Sequence, residues 1–503
     1  MGGLNNIRSD MSNIFTKSKD HNPNYLATIC KIGPLSPIEG ADRLKTAVVN
    51  GHTIVVSAEQ KPTDTVVYFP CESAVADKYL SANNLYEIGR ADRNANFREV
   101  EDLIKKAEKA VEANDLEKAN ELKDKAKALC GYFGSTRRVR ILKLRGVYSD
   151  GFIADVETLR KAYPDELDWR VKFDEYLDVQ FDTIGKELVC EKYVPKVNEQ
   201  VPHGQGNWHK RMKTLKRFDR VNTEYFKFHY DTKMLVEHIK EISPDDMVDV
   251  TVKVHGKSAV VANVLCNRKL TLLDKIKRFF GKDVPTLEYG NIYSSKRVIR
   301  NQYVNPKASE FEDTSEWADV NRVFAPYVSK GMTVYGEIVG YKEGTGEFMQ
   351  PNHDYGCKKG QWKFMPYRIT TQDGVDGKPF EWNIHDVDQW TRKLVHNHPE
   401  LEEHVMYLTI VYQGLLKDMY PDLPVDEHFH EELLKRLKAD KDRLGMELDE
   451  PLCKNKVPRE GVVFRITDDK VSFPRAWKLK TMRHNELDKK QKDKGVVDGE
   501  DIS

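Results

Sequence analysis

The sequence predicts an α+β protein: a small N-terminal β-barrel, followed by a strand-rich domain with helical insertions. Two observations support this, namely short strand-like runs bounded by turn residues and stretches with apolar residues at helical spacing. The 503 residues are enough for two or three domains. Charged residues make up 32% and hydrophobic ones 39%, and no apolar run approaches the length of a membrane span. The composition therefore indicates a protein that does not cross a membrane.

The predicted barrel rests on short β-type runs near the N-terminus. Four of them are residues 27–32, 45–49, 52–56 and 65–69. A later run, residues 138–147, interleaves Arg138, Arg140 and Lys143 with apolar residues. On a strand, such a pattern would place cations on one face, where they could contact nucleic-acid phosphates. The alternative is an ordinary charged outer face of a strand.

Two insertions are predicted to be helical. Residues 97–129 are rich in Ala, Glu and Lys, and their apolar residues fall at helical spacing on both sides of Asn114-Asp115. This pattern predicts a helical hairpin within the barrel region. The second insertion covers residues 373–451 and includes a helix predicted for residues 427–444. The last twenty residues, 484–503, are charged and poor in apolar groups, which predicts a disordered tail.

Lys253 is the most informative single residue. In the run 249–255, valines alternate with polar residues, so Lys253 and His255 are predicted to share one face of a strand. Gly256 then turns the chain into a second, more apolar strand. A lysine held on a strand beside a tight turn is well placed to act as an amine nucleophile. A single K-x-H-G, however, is more often a solvated surface lysine.

Three later segments also carry candidate functional residues on predicted strands. Thr333–Tyr341 carries Tyr335 and Glu337 on one predicted strand face, and residues 459–466 begin with Glu460 next to Gly461. In residues 476–481 the two lysines of K-x-K, Lys478 and Lys480, share a face. Each segment alone is compatible with a packing aromatic residue, a turn carboxylate or an exposed strand.

The order K-x-H-G, aromatic-G-E, E-G-V-V and K-x-K resembles motifs I, III, IV and V of the covalent nucleotidyltransferases, which comprise RNA ligases, DNA ligases and mRNA capping enzymes. K-x-H-G is typical of several RNA ligase groups, whereas the other two classes carry K-x-D-G. The N-terminal I-x-G-A-D-R-L of residues 38–44 and the basic run after residue 138 resemble the OB module of Deinococcus-type, nick-sealing RNA ligases. The resemblance implies an OB-like barrel followed by a nucleotidyltransferase domain of antiparallel sheets with flanking helices.

The resemblance also implies a chemistry. Lys253 would attack the α-phosphate of ATP as a neutral amine, although a lysine amine ordinarily has a pKa of about 10.4. Nearby cations, Lys478 and Lys480, would favour the neutral form and hold the phosphate. Glu337 and Glu460 would bind Mg²⁺ or Mn²⁺. The other expected nucleotide contacts are Val254, Gly256, Tyr335 as a stacking surface for the base, and Arg297 in the segment that resembles motif Ia.

The expected partner is RNA, or an RNA-containing duplex with 3′-OH and 5′-phosphate ends. His255 would serve the ligation steps, and Ser258 stands where motif I often has Asn or Thr. Nucleic-acid contacts are expected at Ser258, Lys296 and Arg297, and on the barrel at Arg138, Arg140 and Lys143.

The predicted organisation is a flexible N-terminus (1–24), an OB-like domain (25–160), a linker (161–221), a nucleotidyltransferase domain (222–483) and the tail. Seven scattered cysteines favour a cytoplasmic protein with reduced thiols, and a monomer is expected. Two alternatives stay open. One is a capping-type guanylyltransferase that uses GTP. The other is an inactive RNA-binding protein built on a ligase fold.

Overall fold

The computed structural model describes residues 14–195, 218–304, 315–372, 380–466 and 475–495. Spatial contacts divide the chain into two compact units, Met1–Val194 and Pro195–Ser503. Within the described residues, each unit has its own clusters of buried apolar side chains.

In the N-terminal unit, residues 14–194 form short strands and four helices. Its strands are β1 (Phe15–Thr16), β2 (Ala27–Ile38), β3 (Ala41–Val49), β4 (His52–Ser57), β5 (Thr65–Phe69), β6 (Ser73–Val75), β7 (Leu142–Leu144), β8 (Val147–Ser149), β9 (Phe152–Asp155), β10 (Gln180–Phe181), β11 (Thr183–Ile184), β12 (Glu187–Leu188) and β13 (Cys190–Lys192). Its helices are α1 (Asp77–Ala82), α2 (Phe97–Glu112), α3 (Leu116–Ala128) and α4 (Glu157–Ala162), with 3₁₀ turns at Ile88–Arg93 and Phe173–Tyr176.

The main sheet of this unit runs in the order β4-β3-β2-β5-β9, with β10 also paired to β2. Strand β2 joins the two halves of this sheet. Its first part pairs with β5, and its second part pairs with β3. The pairings among the described strands form an open sheet and not a closed barrel. The finer OB-like description therefore stays a prediction.

Residues 97–129 form the helices α2 and α3, which pack against each other. The buried positions on these helices are mostly small, including Ala107 and Ala110 on α2 and Ala119 and Ala126 on α3. Small side chains let the two helices approach closely. The Asp115 carboxylate accepts the Lys118 backbone N–H and so caps the start of α3.

Two of the expected boundaries are wrong. Phe15 is buried in the N-terminal core, so the flexible segment does not extend to residue 24. The linker expected from residue 161 also begins too early, because strands β10, β11 and β13 pair back onto β2, β1 and β6, respectively. Both errors have one cause. Short segments gain their order from long-range pairing, which leaves no local pattern in the sequence.

The C-terminal unit contains two five-stranded sheets. Its strands are β14 (Phe218–Asp219), β15 (Lys233–Met234), β16 (Met247–Lys253), β17 (Lys257–Asn267), β18 (Leu287–Ser294), β19 (Tyr303–Val304), β20 (Met332–Gly340), β21 (Trp362–Thr371), β22 (Phe380–Glu381), β23 (Ile410–Leu415), β24 (Gly461–Ile466) and β25 (Arg475–Lys480). Its helices are α5 (Leu235–His238), α6 (Leu272–Phe279), α7 (Glu316–Phe324), α8 (Ile384–Asn397), α9 (Leu416–Met419), α10 (Phe429–Ala439) and α11 (Met482–Asp493), with 3₁₀ turns at Ile239–Glu241, Ala325–Tyr327 and Pro399–His404.

The first sheet has the order β15-β25-β24-β16-β23 and the second β18-β17-β20-β21-β22. All neighbouring strands in these two sheets are antiparallel except β15 and β25, which are parallel. The predicted α+β class with antiparallel sheets is therefore confirmed. The alternating valines of β16, such as Val248 and Val250, pack with Trp477 and Leu479 in the core of the first sheet.

The region expected as a second insertion is part of the core. Helix α10 packs its apolar side chains, such as Phe429 and Leu433, under the first sheet, and strand β23 pairs with β16. Helix α10 ends at Ala439, earlier than predicted, because the Asp440 carboxylate accepts the Arg443 N–H and forms a turn.

The tail prediction is wrong for residues 484–493. Helix α11 covers Met482–Asp493 and starts where the Thr481 hydroxyl accepts the backbone N–H of His484. A threonine N-cap is a helix-start signal that composition alone does not reveal. Among the described helices, none is both long and apolar enough to span a membrane.

Candidate active site

Lys253, Glu460 and Lys480 meet at the end of the first sheet. Lys253 is the last residue of β16 and stands opposite Gly461 in β24, which in turn stands opposite Lys480 in β25. Lys253 Nζ donates to Glu460 Oε2 at 2.8 Å, and Lys480 Nζ lies 2.8 Å from Glu460 Oε1. The side chain of Glu460 is only 2% exposed, so both carboxylate oxygens are occupied by ammonium groups.

The two lysines determine the charge state of this carboxylate. Burial alone would raise the pKa of Glu460, but Lys253 and Lys480 beside it hold that pKa well below its usual range. Glu460 is therefore ionised at neutral pH. It can orient Lys253 but is a poor acceptor for a proton from it.

Gly461 allows Glu460 to take this position. Its φ is +151°, and a Cβ at residue 461 would lie 2.0 Å from the Leu479 carbonyl oxygen on the neighbouring strand. No side chain fits there without separating β24 from β25.

We expect Gly461→Ala to lower the free energy of unfolding by about 3 kcal/mol, because the new methyl group must push β25 away. Chemical denaturation of the variant measures this change. Gly89→Ala is the matched control, since a Cβ at Gly89 meets nothing within 4 Å. Equal, small effects of both substitutions would contradict the steric account.

Two histidines lie beside Glu460, and a third contacts one of them. His255 Nδ1 lies 3.8 Å from Glu460 Oε2, and His484 Nε2 lies 3.8 Å from Glu460 Oε1. The His255 ring also contacts the rings of His484 and His353, with centroid distances of 4.8 and 4.9 Å. Burial lowers the pKa of all three imidazoles, to about 4 for His353, so they are neutral at pH 7. His353 and His484 were missed by the sequence reasoning.

The turn after Lys253 is held by a distant loop. The His255 backbone N–H donates to the Tyr355 hydroxyl at 2.7 Å, and the Gly256 carbonyl accepts from Gln350 Nε2 at 2.8 Å. A Cβ at Gly256 would lie 2.6 Å from the Ile338 carbonyl oxygen, so only glycine fits. No short motif marks Gln350 or Tyr355 in the sequence.

Glu337 lies on β20 directly opposite Ser258, two residues beyond Gly256. The pairing therefore brings the second predicted carboxylate next to the lysine turn. Ser258 is buried, and its carbonyl accepts from Trp317 Nε1 at 2.9 Å. Val254 packs in the core of the second sheet, so its side chain has a structural role.

The ring of Tyr335 lies against a cation. The ring is 1% exposed, and the Arg368 guanidinium lies 4.4 Å from its centroid. The Arg368 guanidinium also lies 4.3 Å from the centroid of the Tyr230 ring, and its Nε donates to Glu381 at 2.7 Å. A cation therefore lies against the ring on which a base was expected to stack, and stacking on Tyr335 stays a prediction.

A cavity of about 460 Å³ opens beside this cluster. It is lined from the second sheet by Tyr335 and Arg368 and from the first sheet by Ala476 and Trp477, and Phe228 borders it. Phe228 is 39% exposed, so part of its ring is accessible. Lys478 follows Ala476 by two residues on the same strand, which places the cavity near the motif lysines.

Lys478 titrates near neutrality. Burial, and then the nearby cations Lys480, Lys296 and Lys253, lower the pKa of Lys478 to about 7, and Asp231 only partly opposes them. The cations around Lys478 outnumber the carboxylates, so this part of the site carries excess positive charge. A bound phosphate would supply the compensating negative charge.

We expect Lys478→Met to stabilise the protein at pH 7 by about 2 kcal/mol. Because the pKa is lowered on folding, the folded protein binds fewer protons than the unfolded chain between pH 7 and 10.5. The native lysine therefore lowers the free energy of unfolding increasingly as the pH falls from 10.5 to 7. The gain should vanish above pH 10.5, where the lysine is neutral in both states. Denaturation of both proteins at pH 7 and 10.5 checks this, and a gain independent of pH would contradict it.

The predicted motif Ia cations share one acidic partner. Lys296 Nζ lies 2.9 Å from Asp231 Oδ1, and Arg297 Nη2 donates to Asp231 Oδ2 at 2.9 Å. Asp231 also lines the cavity and interacts electrostatically with Lys478. The structure thus places Lys296 and Arg297 near the motif lysines, and Asp231 is a further site residue that the sequence did not reveal.

The basic strand expected in the N-terminal unit is interrupted. Arg138 is buried, donates through Nε and Nη2 to Glu72 at 3.0 and 2.6 Å, and is therefore not available to a phosphate. Strand structure begins only at Leu142. Arg140 is half-buried, and Lys143 is exposed on β7 with its Nζ 4.6 Å from the Tyr148 ring centroid.

Two solved structures with a similar fold are glutamate-to-alanine mutants of the RNA ligase of Naegleria gruberi. The mutant with AMP and Mn is 17% identical with a TM-score of 0.50, over 92% of this chain and 99% of that chain. The mutant with ATP and Mn is 18% identical with the same TM-score and coverage. No protein-family model and no curated protein matches the chain. At this level of identity the similarity establishes the architecture: the chain has the fold of an RNA ligase.

Proposed function

We propose that this protein is an ATP-dependent RNA ligase of the nick-sealing, Deinococcus-like type, acting in the cytoplasm on RNA breaks with 3′-OH and 5′-phosphate ends. The observation that carries the proposal is the shared carboxylate of Glu460, which bonds both Lys480 and Lys253, although Lys253 lies 207 residues away in the chain. The ligase fold and the cationic surroundings of Lys478 support it.

In the first step, Lys253 Nζ loses a proton and attacks the α-phosphorus of ATP. An N–P bond forms, the bond from the α-phosphorus to the bridging oxygen breaks, and pyrophosphate leaves with that electron pair. Glu460 aims the amine through the 2.8 Å hydrogen bond. Because the lowered pKa of Glu460 keeps it ionised, it does not accept this proton. The proton of Lys253 passes instead to solvent or to the neutral His255 beside the same carboxylate. Lys478 and Lys480 stabilise the charge on the phosphate oxygens.

In the second step, an oxygen of the RNA 5′-phosphate attacks the phosphorus of the bound AMP. The N–P bond breaks, and Lys253 recovers its electron pair and a proton. In the third step, the 3′-OH attacks the 5′-phosphorus, a phosphodiester bond forms and AMP leaves. The third step makes no bond to Lys253, so it depends on positioning and charge stabilisation alone.

Glu337 and Glu460 are the carboxylates that suit Mg²⁺ or Mn²⁺, which prefer hard oxygen ligands. Both oxygens of Glu460 already lie within 2.8 Å of ammonium groups, so Glu460 is better suited to hold a hydrated ion than to replace its waters. When bound, the ion neutralises charge developing on the phosphate oxygens.

The cavity beside Lys478 has room for a nucleoside. We assign base stacking to Phe228 and not to Tyr335, because Phe228 keeps an accessible ring face. Arg297 and Lys296 form ion pairs with Asp231, which lines this cavity. From there they would contact the ribose or the nick.

The test is incubation with α-labelled ATP, and separately with α-labelled GTP, in Mg²⁺ or Mn²⁺, followed by denaturing electrophoresis. We expect label from ATP on the protein, removed by added pyrophosphate and absent from Lys253→Ala. Lys358→Arg, at an exposed position, is the control. Label from GTP would indicate a capping-type guanylyltransferase. No label from either nucleotide would leave an RNA-binding protein on a ligase fold.

A further inference from the structure

Helix α6 (Leu272–Phe279) has no buried residue, although it is strongly amphipathic. It lies in the connection between β17 and β18, which form an antiparallel hairpin. Phe279 and Phe280 are 85% and 73% exposed, and their rings meet edge to face at 5.5 Å. The exposed apolar stripe consists of Leu272, Leu273, Ile276, Phe279 and Phe280.

The helix is held in place by its ends and not by its apolar face. Thr271 and Asp274 form a reciprocal capping box at its start. Arg268 Nη2 donates to Asp274 Oδ2 at 2.7 Å, and the Arg268 backbone N–H donates to the Thr286 carbonyl at 2.8 Å. An eight-residue helix is marginal on its own, so these caps keep it formed while leaving the apolar stripe open to a partner.

The charge around the stripe is strongly positive. Residues 268–283 carry six cations and two carboxylates, within a chain of zero formal net charge. One of the carboxylates, Asp274, is already paired with Arg268. The cations are Arg268, Lys269, Lys275, Lys277, Arg278 and Lys282.

We propose that α6 and Phe280 form a docking site for the RNA duplex beside the nick, an inference that rests on the proposed ligase function. The lysines neutralise phosphates on both sides of the groove, and the apolar stripe enters the wide, shallow minor groove of an A-form helix. Apolar side chains flanked by cations contact nucleic acid in this way in minor-groove binders.

Other occupants fit the observations less well. Two copies of α6 packed face to face would bring together two sets of cations and repel each other. An anionic membrane suits the charge, but it would not explain why α6 follows β17, the strand that begins directly after the lysine turn. A duplex matches the length, the charge and the exposed aromatic rings together.

The position of α6 predicts how far from the nick it contacts the RNA. Strand β17 has eleven residues between Lys257 and Asn267, and it carries the helix on the order of 30 Å from the lysine turn. An A-form duplex advances by less than the roughly 3.4 Å per base pair of double-stranded DNA. The helix should therefore touch RNA at least about nine base pairs from the nick.

The experiment compares RNA binding of two double variants with the wild type. Phe279→Ser/Phe280→Ser removes the aromatic rings, and Lys275→Glu/Lys277→Glu reverses two charges. The controls lie in the N-terminal unit: Trp169→Ser, at a residue that is 83% exposed, and Lys123→Glu/Lys127→Glu on α3. Fluorescence anisotropy measures the Kd for nicked duplexes with arms of six or twelve base pairs, over a range of salt concentrations.

We expect both α6 variants to bind the long-armed duplex at least tenfold more weakly, and the short-armed duplex as the wild type does. The lysine variant should also reduce the slope of log Kd against log salt by roughly one for each phosphate that it no longer neutralises. Self-adenylylation from ATP should stay unchanged. The control variants should bind both duplexes normally.

Equal binding of the long-armed duplex by wild type and α6 variants would overturn the docking proposal. So would a loss of binding to vesicles containing phosphatidylglycerol with RNA binding unchanged, which would make α6 a membrane contact. Absence of self-adenylylation in the wild type would instead contradict the ligase function, while the binding comparison would still decide the role of α6.

Discussion

Lys253→Arg should abolish self-adenylylation, with a loss of at least roughly 10⁴-fold. Arginine keeps a cation beside Glu460, but its guanidinium is not deprotonated in proteins and cannot attack phosphorus. The ion pair with Glu460 persists, so we expect the free energy of unfolding to change by less than about 1 kcal/mol. Label transfer from α-labelled ATP and chemical denaturation measure the two effects.

A second readout separates loss of the nucleophile from general damage to the site. The third step makes no bond to residue 253, so Lys253→Arg should still seal RNA that carries a chemically pre-adenylylated 5′ end. We expect a rate within about tenfold of the wild type, since Lys478 and Lys480 are intact. Label transfer to the arginine variant at the wild-type rate would place the nucleophile elsewhere.

Glu460→Gln should reduce both activity and stability. The amide keeps the shape of the side chain but removes the charge that bonds Lys253 and Lys480 at 2.8 Å each. Breaking a buried pair leaves its partners uncompensated, and because the lysines are 25% and 26% exposed we expect a loss of about 3 kcal/mol. Misplacement of the Lys253 amine should slow adenylylation by roughly 10²–10³-fold.

The pH dependence of this loss follows from the lowered pKa of Glu460. A carboxyl group with a pKa lowered on folding stabilises the protein above its unfolded pKa, and this contribution is lost as the pH falls through the folded pKa. Wild type and Glu460→Gln should therefore differ at pH 7 and converge only in strong acid. Unfolding measured at pH 7, 5 and 3 tests this, and a constant difference would contradict the electrostatic account.

A double variant tests the origin of the instability. Glu460→Gln/Lys480→Met removes one of the two uncompensated cations, so it should recover part of the stability lost in the single variant. It should recover no activity, because Lys253 is still not oriented. A double variant less stable than Glu460→Gln would show that the lysine supports the fold through its packing.

The residue types of the site could be predicted where they depend on local sequence patterns. Alternating valines before Lys253 predicted a strand, and the order of four short motifs singled out Glu337, Glu460, Lys478 and Lys480. Strand type and strand face depend on neighbours two residues apart, so a single sequence contains them.

The same reasoning failed where the outcome depends on contacts across the fold. Tyr335 was expected to stack on a base, and the sequence did not reveal that Arg368 from the next strand lies against its ring. Arg138 was expected on an exposed face, but Glu72 binds it in the interior. His484 was placed in a disordered tail, but Thr481 starts a helix that brings its ring beside His255.

The sequence by itself determined the strand that carries Lys253, the residue types of a nucleotidyl-transfer site and the presence of a long helical hairpin. Only the tertiary structure decided which of these residues meet. Lys253 and Glu460 are 207 residues apart, and their 2.8 Å contact exists because β16 pairs with β24 in one register. A shift of that register by one residue would turn the side chains of one strand to the opposite face. Packing of the whole unit sets the register, and no local pattern encodes it.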